Sequence, residues 1–285
     1  MIDLSPHISP PRSNRLGCCC AFFLAGILLV CVIPVLVLSP GRTTILILGI
    51  DTRELGSNLG RSDTMILITF VPFEPYVGML SIPRDLQVTI PDVGENRINT
   101  AHFYAEAEKP GSGPKAAIQT VEKNFGVNVD YYIRIRFDGV RTLVEAVSGV
   151  DVELPNAMSG YSAGTHHLDG QQALAFIRDR TGSDDLYRTE RGQIFIRALL
   201  KRLLGPGNWE HWPGFFKELA KMVDTNIPFW QTPRLGVTLL RVGAEGIDGR
   251  VFTHEMVTPT TTLEGAEVLN PNWELINPLV KEMFE

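Results

Sequence analysis

Residues 16–38, LGCCCAFFLAGILLVCVIPVLVL, carry no charge over 23 consecutive positions. At a rise of about 1.5 Å per residue, a helix of that length crosses a hydrocarbon core of about 30 Å. A buried helix of a globular domain would normally show a polar face, and this run has none. The expected organisation is therefore a cytoplasmic tail (1–15), one transmembrane helix (16–38) and one extracytoplasmic domain (40–285), a single-pass protein of the cell membrane. Arg12 and Arg15 precede the run and set that orientation by the positive-inside tendency. A cleaved signal peptide fits less well. Its apolar core is usually shorter, and the exit Leu38-Ser39-Pro40-Gly41 is not an A-x-A-like site. All four cysteines (Cys18, Cys19, Cys20 and Cys31) lie in or beside the run, so neither disulfide nor thiol chemistry is expected beyond it.

Without Asp3, Arg12 and Arg15, the chain keeps 24 basic and 31 acidic residues, and this acidic balance excludes a general nucleic-acid binder. Thr44–Ile50 is apolar on both faces, as a central strand covered on both sides would be. Met65–Val71 and Val77–Ile82 read as strands around the breaker Pro72-Phe73-Glu74-Pro75, and Leu86–Ile90 as a short alternating strand. Asn99 is positioned to cap a helix to Glu108, and Pro114 opens another that ends near Gly126. Tyr131–Phe137 alternates, with Arg134 and Arg136 on one face. Residues 155–169 read as a loop. Gly170–Arg178 and Asp185–Leu204 are expected helices, followed by helices near 213–224 and 232–241, short strands, and a terminal helix over 271–284. Strands and helices mixed throughout predict an α/β fold: a single αβα layered domain with a central mixed sheet.

Two features point to chemistry. The chain has 19 arginines against 7 lysines, and Arg178, Arg180, Arg188, Arg191, Arg197 and Arg202 crowd into one stretch. Guanidinium is planar and grips phosphate oxygens in pairs, so such a cluster suits a diphosphate. A solvated helix face paired with Asp184, Asp185 and Glu190 would give the same pattern. The second feature is a set of carboxylates at strand ends: Asp51 after the first strand, Asp63 before the second, Asp85 after the third, flanked by Arg53, Arg61 and Arg84. Ligands collect at strand ends in open α/β sheets, and two carboxylates brought together can share Mg²⁺ with a phosphate. Each aspartate taken alone also suits a turn or a cap. Gly160-Tyr161-Ser162-Ala163-Gly164 matches a nucleophile elbow in letters only, because no strand–serine–helix frame surrounds it. The histidines show no H-x-x-x-H pair for zinc.

The order of motifs resembles the LytR-CpsA-Psr family of bacterial envelope proteins, from about Ile45 to Leu204. The motifs are Leu48-Gly49-Ile50-Asp51-x-Arg53, Arg61-Ser62-Asp63-Thr64, Ser81-Ile82-Pro83-Arg84-Asp85, Arg97-Ile98-Asn99-x-Ala101 and Val144-x-x-Val147-Ser148-Gly149-Val150-Asp151-Val152. Leu168-Asp169-Gly170-x-Gln172-Ala173-Leu174, Arg178-x-Arg180 and Asp185-x-x-Arg188-x-x-Arg191 follow, and Val268-Leu269-Asn270-Pro271-Asn272-Trp273 fits the tail. The resemblance implies a phosphotransferase that moves a glycopolymer from a polyprenyl-pyrophosphate carrier to a peptidoglycan hydroxyl through a phosphodiester. It implies Mg²⁺ held by Asp63 and Asp51, and a pyrophosphate gripped by Arg84, Arg178, Arg180, Arg188 and Arg191, with Arg53, Arg61 and Gln193 beside them. Asp63, Arg84 and Asp85 are the residues implied for catalysis, and a carboxylate oxygen of Asp63 is a candidate base.

Two departures stand out. The family usually has Arg-Gln-Gln where this chain has Arg191-Gly192-Gln193, and usually lysine where it has Arg97. A non-catalytic polyprenyl-phosphate or polymer binder, or a phosphatase using water as acceptor, would use the same groups.

Overall fold

The computed structural model describes residue 26 and residues 41–285, except 52–57, 180–184, 206 and 264. The expected transmembrane helix at 16–38 and the tail before it therefore lie outside the described residues, as do Arg53 and Arg180. Among the described residues no helix is long and apolar enough to cross a membrane.

In chain order the domain begins with strands β1 (Thr43–Ile50), β2 (Ser62–Val71), β3 (Tyr76–Ile82), β4 (Gln87–Ile90) and β5 (Gly94–Arg97). Helices α1 (Thr100–Glu108) and α2 (Gly113–Phe125) follow, then β6 (Tyr131–Arg136), α3 (Val140–Ala146), β7 (Val150–Leu154) and β8 (Gly164–Leu168). Next come α4 (Gly170–Arg178), α5 (Asp185–Leu204), α6 (Trp212–Met222), β9 (Val223–Thr225), α7 (Thr232–Val242), β10 (Asp248–Val251), β11 (Val257–Thr261), β12 (Glu267–Pro271) and α8 (Trp273–Phe284).

The main sheet has the order β10-β3-β2-β1-β6-β9. It is mixed: β1–β6 and β10–β3 run parallel, while β1–β2, β2–β3 and β6–β9 run antiparallel. Side chains alternate across a strand, so each apolar run supplies both faces. Leu46, Leu48, Met65, Leu67, Leu80 and Ile82 face one core, shared with Ala117, Val121 and Phe125 of α2 and with Ile276, Val280 and Met283 of α8. Ile45, Ile66, Ile68, Val77 and Met79 face the other, against Leu235 and Leu239 of α7 and Ile196 and Leu200 of α5. Helices thus cover both faces. Each such buried side chain contributes roughly 1.5–3 kcal/mol of burial, which fixes the register, because a one-residue slip would exchange the two cores.

Several local expectations are met. Pro114 sits in the first turn of α2, and Gly126 ends it in the left-handed region at φ 70°. Beyond those expectations, Asp169 and Gln172 form a reciprocal capping box on α4. Two readings need correction. Asn99 occupies the cap position of α1 but has helical backbone angles and makes no side-chain cap. The supposed loop 155–169 contains β8, which pairs antiparallel with β7. In that hairpin the His166 ring bonds the Ser162 carbonyl and His167 pairs with Asp151, so no nucleophile elbow forms.

Candidate anion site at the sheet edge

Because β1–β2 and β2–β3 are antiparallel, the ends of β1 and β3 and the start of β2 meet at one edge of the sheet. Asp51, Asp63 and the Pro83-Arg84-Asp85 turn are therefore brought together by topology. Asp63 has a further device. Gly49 pairs with Thr64 and Ile50 with Ser62, so Asp63 is the extra residue of a β-bulge. Bulges re-aim a side chain, and this one turns the carboxylate out of the sheet's alternation. The bulge needs Gly49: a Cβ there would lie 2.7 Å from the Phe137 ring and 2.9 Å from Thr64 Cβ.

The guanidinium groups arrive from three other segments. Arg84 Nη1 donates to Asp63 Oδ1 at 2.8 Å, and Arg188 Nη2 of α5 lies 4.0 Å from Asp63 Oδ2. Arg178, at the end of α4, donates to Asp51 Oδ1 at 2.6 Å. Asp85 sits between two cations, with Arg84 Nε at 3.3 Å and Arg97 Nη1 at 3.2 Å. Among the described residues four guanidinium groups thus meet three carboxylates, and Arg61 stands exposed at the head of β2. Among these described groups the cations outnumber the carboxylates, and Asp63, Arg84 and Arg188 sit in partly buried surroundings where screening by water is reduced.

Two of the expected ligands have other places. Arg191 is buried and donates from Nη2 to the Asp179 carbonyl at 2.6 Å, so it holds the turn that carries Arg178. Gln193 is a correction. Its Nε2 donates to the carbonyls of Met79 and Arg250 at 3.2 and 2.6 Å, clamping β3 to β10, so the side chain's amide is engaged with the sheet backbone. Arg197 and Arg202 likewise bond the Ile247 and Val147 carbonyls, so the arginine-rich stretch divides between site and scaffold.

The Arg97-Ile98-Asn99 segment has a positioning role that its residue types do not announce. Asn99 N donates to the Arg84 carbonyl at 3.2 Å, and the Asn99 carbonyl accepts from Ser62 N at 3.5 Å and Ser62 Oγ at 3.4 Å. One backbone unit thereby couples the turn of Arg84 to the strand of Asp63. His102 adds a second tie. Its Nδ1–H donates to the Gly60 carbonyl at 3.0 Å, just before Arg61, and its Nε2 faces Arg134 Nη1 at 3.3 Å. Burial holds the His102 ring below the usual histidine value, so it stays neutral with the proton on Nδ1. Arg134 also pairs with Glu106 at 3.0 Å and with Asp224 at 2.6 Å. Burial raises the Glu106 carboxyl, but the N–H groups of Gly111 and Gly113 together with Arg134 bring it below its ordinary value.

Asp51 and Asp63 offer hard oxygen donors on neighbouring strand ends. That donor set fits Mg²⁺, which takes one or two carboxylates and completes its shell with water and phosphate. Among the described residues no group of three or more His, Cys, Asp or Glu side chains is gathered as a self-sufficient metal cage. A hard cation here would need the ligand's own oxygens.

Comparison with known proteins places the chain in a family. The chain is 42% identical over 162 residues to the polyisoprenyl-teichoic acid–peptidoglycan teichoic acid transferase TagU of Oceanobacillus iheyensis, covering 55% of this chain and 50% of that protein. It is 33% identical over 180 residues to the transferase of the same description, TagT, of Bacillus subtilis, covering 57% and 54%. The chain thus spans about half the length of these curated relatives. The crystal structure of B. subtilis TagV superposes with a TM-score of 0.69 at 25% identity, covering 86% of this chain and 98% of that one. The LytR_cpsA_psr family profile matches residues 36–284, which include every element of the sheet and every described site residue, and the chain belongs to that family.

Proposed function

We propose that this chain is a phosphotransferase that moves a glycopolymer from a polyprenyl-pyrophosphate carrier to a hydroxyl of peptidoglycan, leaving a phosphodiester link. The observation that carries the reading is the meeting of Arg84 and Arg188 on Asp63, beside Arg178 on Asp51, at one sheet edge. Phosphoryl transfer asks a protein mainly for positioning and charge stabilisation, and this edge supplies both. The names of the relatives support the donor and acceptor classes.

Arg84, Arg188 and Arg178 would bind and orient the diphosphate oxygens, with Arg61, Arg53 and Arg180 as further cationic neighbours. Arg191 would act through the turn that carries Arg178. Asp85, held between Arg84 and Arg97, would fix the Arg84 fork rather than move a proton. Asp63 and Asp51 would hold Mg²⁺, which when bound neutralises charge developing on the leaving phosphate. Residues 16–38 would anchor the domain outside the cytoplasm, in the membrane that holds the lipid donor.

The test is incubation of the full chain with lipid-linked glycan, Mg²⁺ and peptidoglycan oligomers. Glycan attached to peptidoglycan is expected. Free phosphorylated glycan would make the protein a phosphatase, and unchanged substrate a binding protein. Asp63→Ala is expected to abolish transfer with the thermal midpoint preserved. Full activity in that variant would remove the role given to Asp63.

A further inference from the structure

Beside the anion site, the β4–β5 and β11–β12 hairpins enclose a groove of about 560 Å³, within the range of small-ligand sites. Gln87, Glu95 and Arg97 line it from the first hairpin, and Thr260, Thr262 and Asn270 from the second. The hairpins are tied at the end nearest the site: Leu86 bridges to Leu269, and Leu269 N donates to the Asp85 carbonyl at 2.9 Å. From the groove, ion pairs lead to the proposed reaction centre, from Arg97 to Asp85, on to Arg84 and then to Asp63.

The chemistry of the walls differs from that of the anion site. Among the described lining residues amides and hydroxyls outnumber apolar side chains, and the two charges, Glu95 and Arg97, cancel. Thr89 Oγ1 bonds the Glu95 carboxylate and orients it. Arg97 Nε is buried with no hydrogen-bond partner among the described residues. Among the described lining residues a phosphate-rich polymer would find no surplus cation, whereas a neutral, polyhydroxylated ligand would meet donors and acceptors on the amides and threonines and an apolar surface on Leu263, Ala266 and Val268.

We propose that this groove binds a neutral oligosaccharide, the glycan of the acceptor strand, and presents its hydroxyl to the diphosphate held by Arg84 and Arg188. The acceptor role rests on the phosphotransferase reading above, but the capacity to bind saccharide does not.

The test titrates the full chain in detergent with the N-acetylglucosamine tetramer, followed by calorimetry. Saturable binding is expected. The double variant Gln87→Ala/Asn270→Ala should weaken it about tenfold or more, from roughly fivefold per lost hydrogen bond. It should also raise the KM for peptidoglycan in the transfer assay while leaving kcat and donor affinity in place. Glu95→Gln, a milder surface change, should weaken tetramer binding in the same direction. Saturating the protein with lipid-linked donor beforehand should leave the tetramer affinity unchanged. Absence of saturable binding, equal affinity in the double variant, or displacement of the tetramer by the donor would each overturn the proposal. Tetramer binding without transfer to any acceptor would instead count against the phosphotransferase reading and leave the saccharide site standing.

Discussion

Arg134→Met tests whether the buried ion cluster behind the site holds the domain together. Arg134 is 4% exposed and Glu106 is 5% exposed, and the two are 3.0 Å apart. Methionine keeps the aliphatic reach but strands the Glu106 carboxylate and leaves His102 Nε2 without its donor. Breaking one side of a buried pair costs about 3–5 kcal/mol, far more than a surface pair is worth. The N–H groups of Gly111 and Gly113 still reach Glu106 at 2.9 and 3.0 Å, so the lower half of that range is expected. For a domain of roughly 250 residues each kcal/mol moves the thermal midpoint by about 2–4 °C, which predicts a fall of roughly 6–16 °C. Adding Glu106→Gln removes the stranded charge but sets the amide NH2 against the N–H of Gly111 or Gly113, so it should recover part of the loss and not all of it. Thermal and urea denaturation of the full chain in detergent measures both. A loss under about 1 kcal/mol, or a double variant no more stable than the single one, would refute the reasoning, because the cluster would then carry little energy.

Two further outcomes are expected. Gly192→Ala should stabilise the protein by about 1 kcal/mol, since a mid-helix glycine is costly and its added Cβ would meet only Thr64 Cγ2 at 3.8 Å; a lower thermal midpoint would count against this. His102 is held neutral by burial, so its folded pKa lies below the unfolded value of about 6.5. The unfolded chain then binds more protons as pH falls, and stability should drop below about pH 6.5 by up to about 1.4 kcal/mol per pH unit until the folded value is reached. The lowered Glu106 carboxyl adds a loss in the same direction at more acidic pH. His102→Asn should flatten the slope between pH 6.5 and 5.5 in denaturation curves, and an unchanged slope would place its origin elsewhere.

Much of the sheet is legible because its strands are covered on both faces. The apolar runs Thr44–Ile50, Met65–Val71 and Val77–Ile82, with breakers between them, mark three strands, while the polar start of β2 at Ser62-Asp63-Thr64 escapes that pattern. The β8 strand is not, because in Gly164–Leu168 only Leu168 is buried and the pattern has no apolar period. The site's residue types are legible, but their directions are only partly so. Arg188 and Arg191 share a helix face at a spacing of three. Gln193 lies two residues, about 200°, further round, and so faces β3 and β10 instead. The bulge at Asp63 leaves no trace in hydropathy, since one extra residue at a strand end alters no core position. The work of Asn99 is done by its backbone, to which side-chain chemistry gives no clue.

The central claim is that guanidinium groups from separate segments act on one diphosphate. It is tested most directly by the affinity of the full chain for a polyprenyl diphosphate, compared with the matching monophosphate, in wild type and in Arg84→Ala, Arg178→Ala and Arg188→Ala. The account predicts tighter binding of the diphosphate by wild type and at least a tenfold loss in each variant, about 1.4 kcal/mol apiece. Equal affinity for the two lipids, with all three variants binding like wild type, would contradict it.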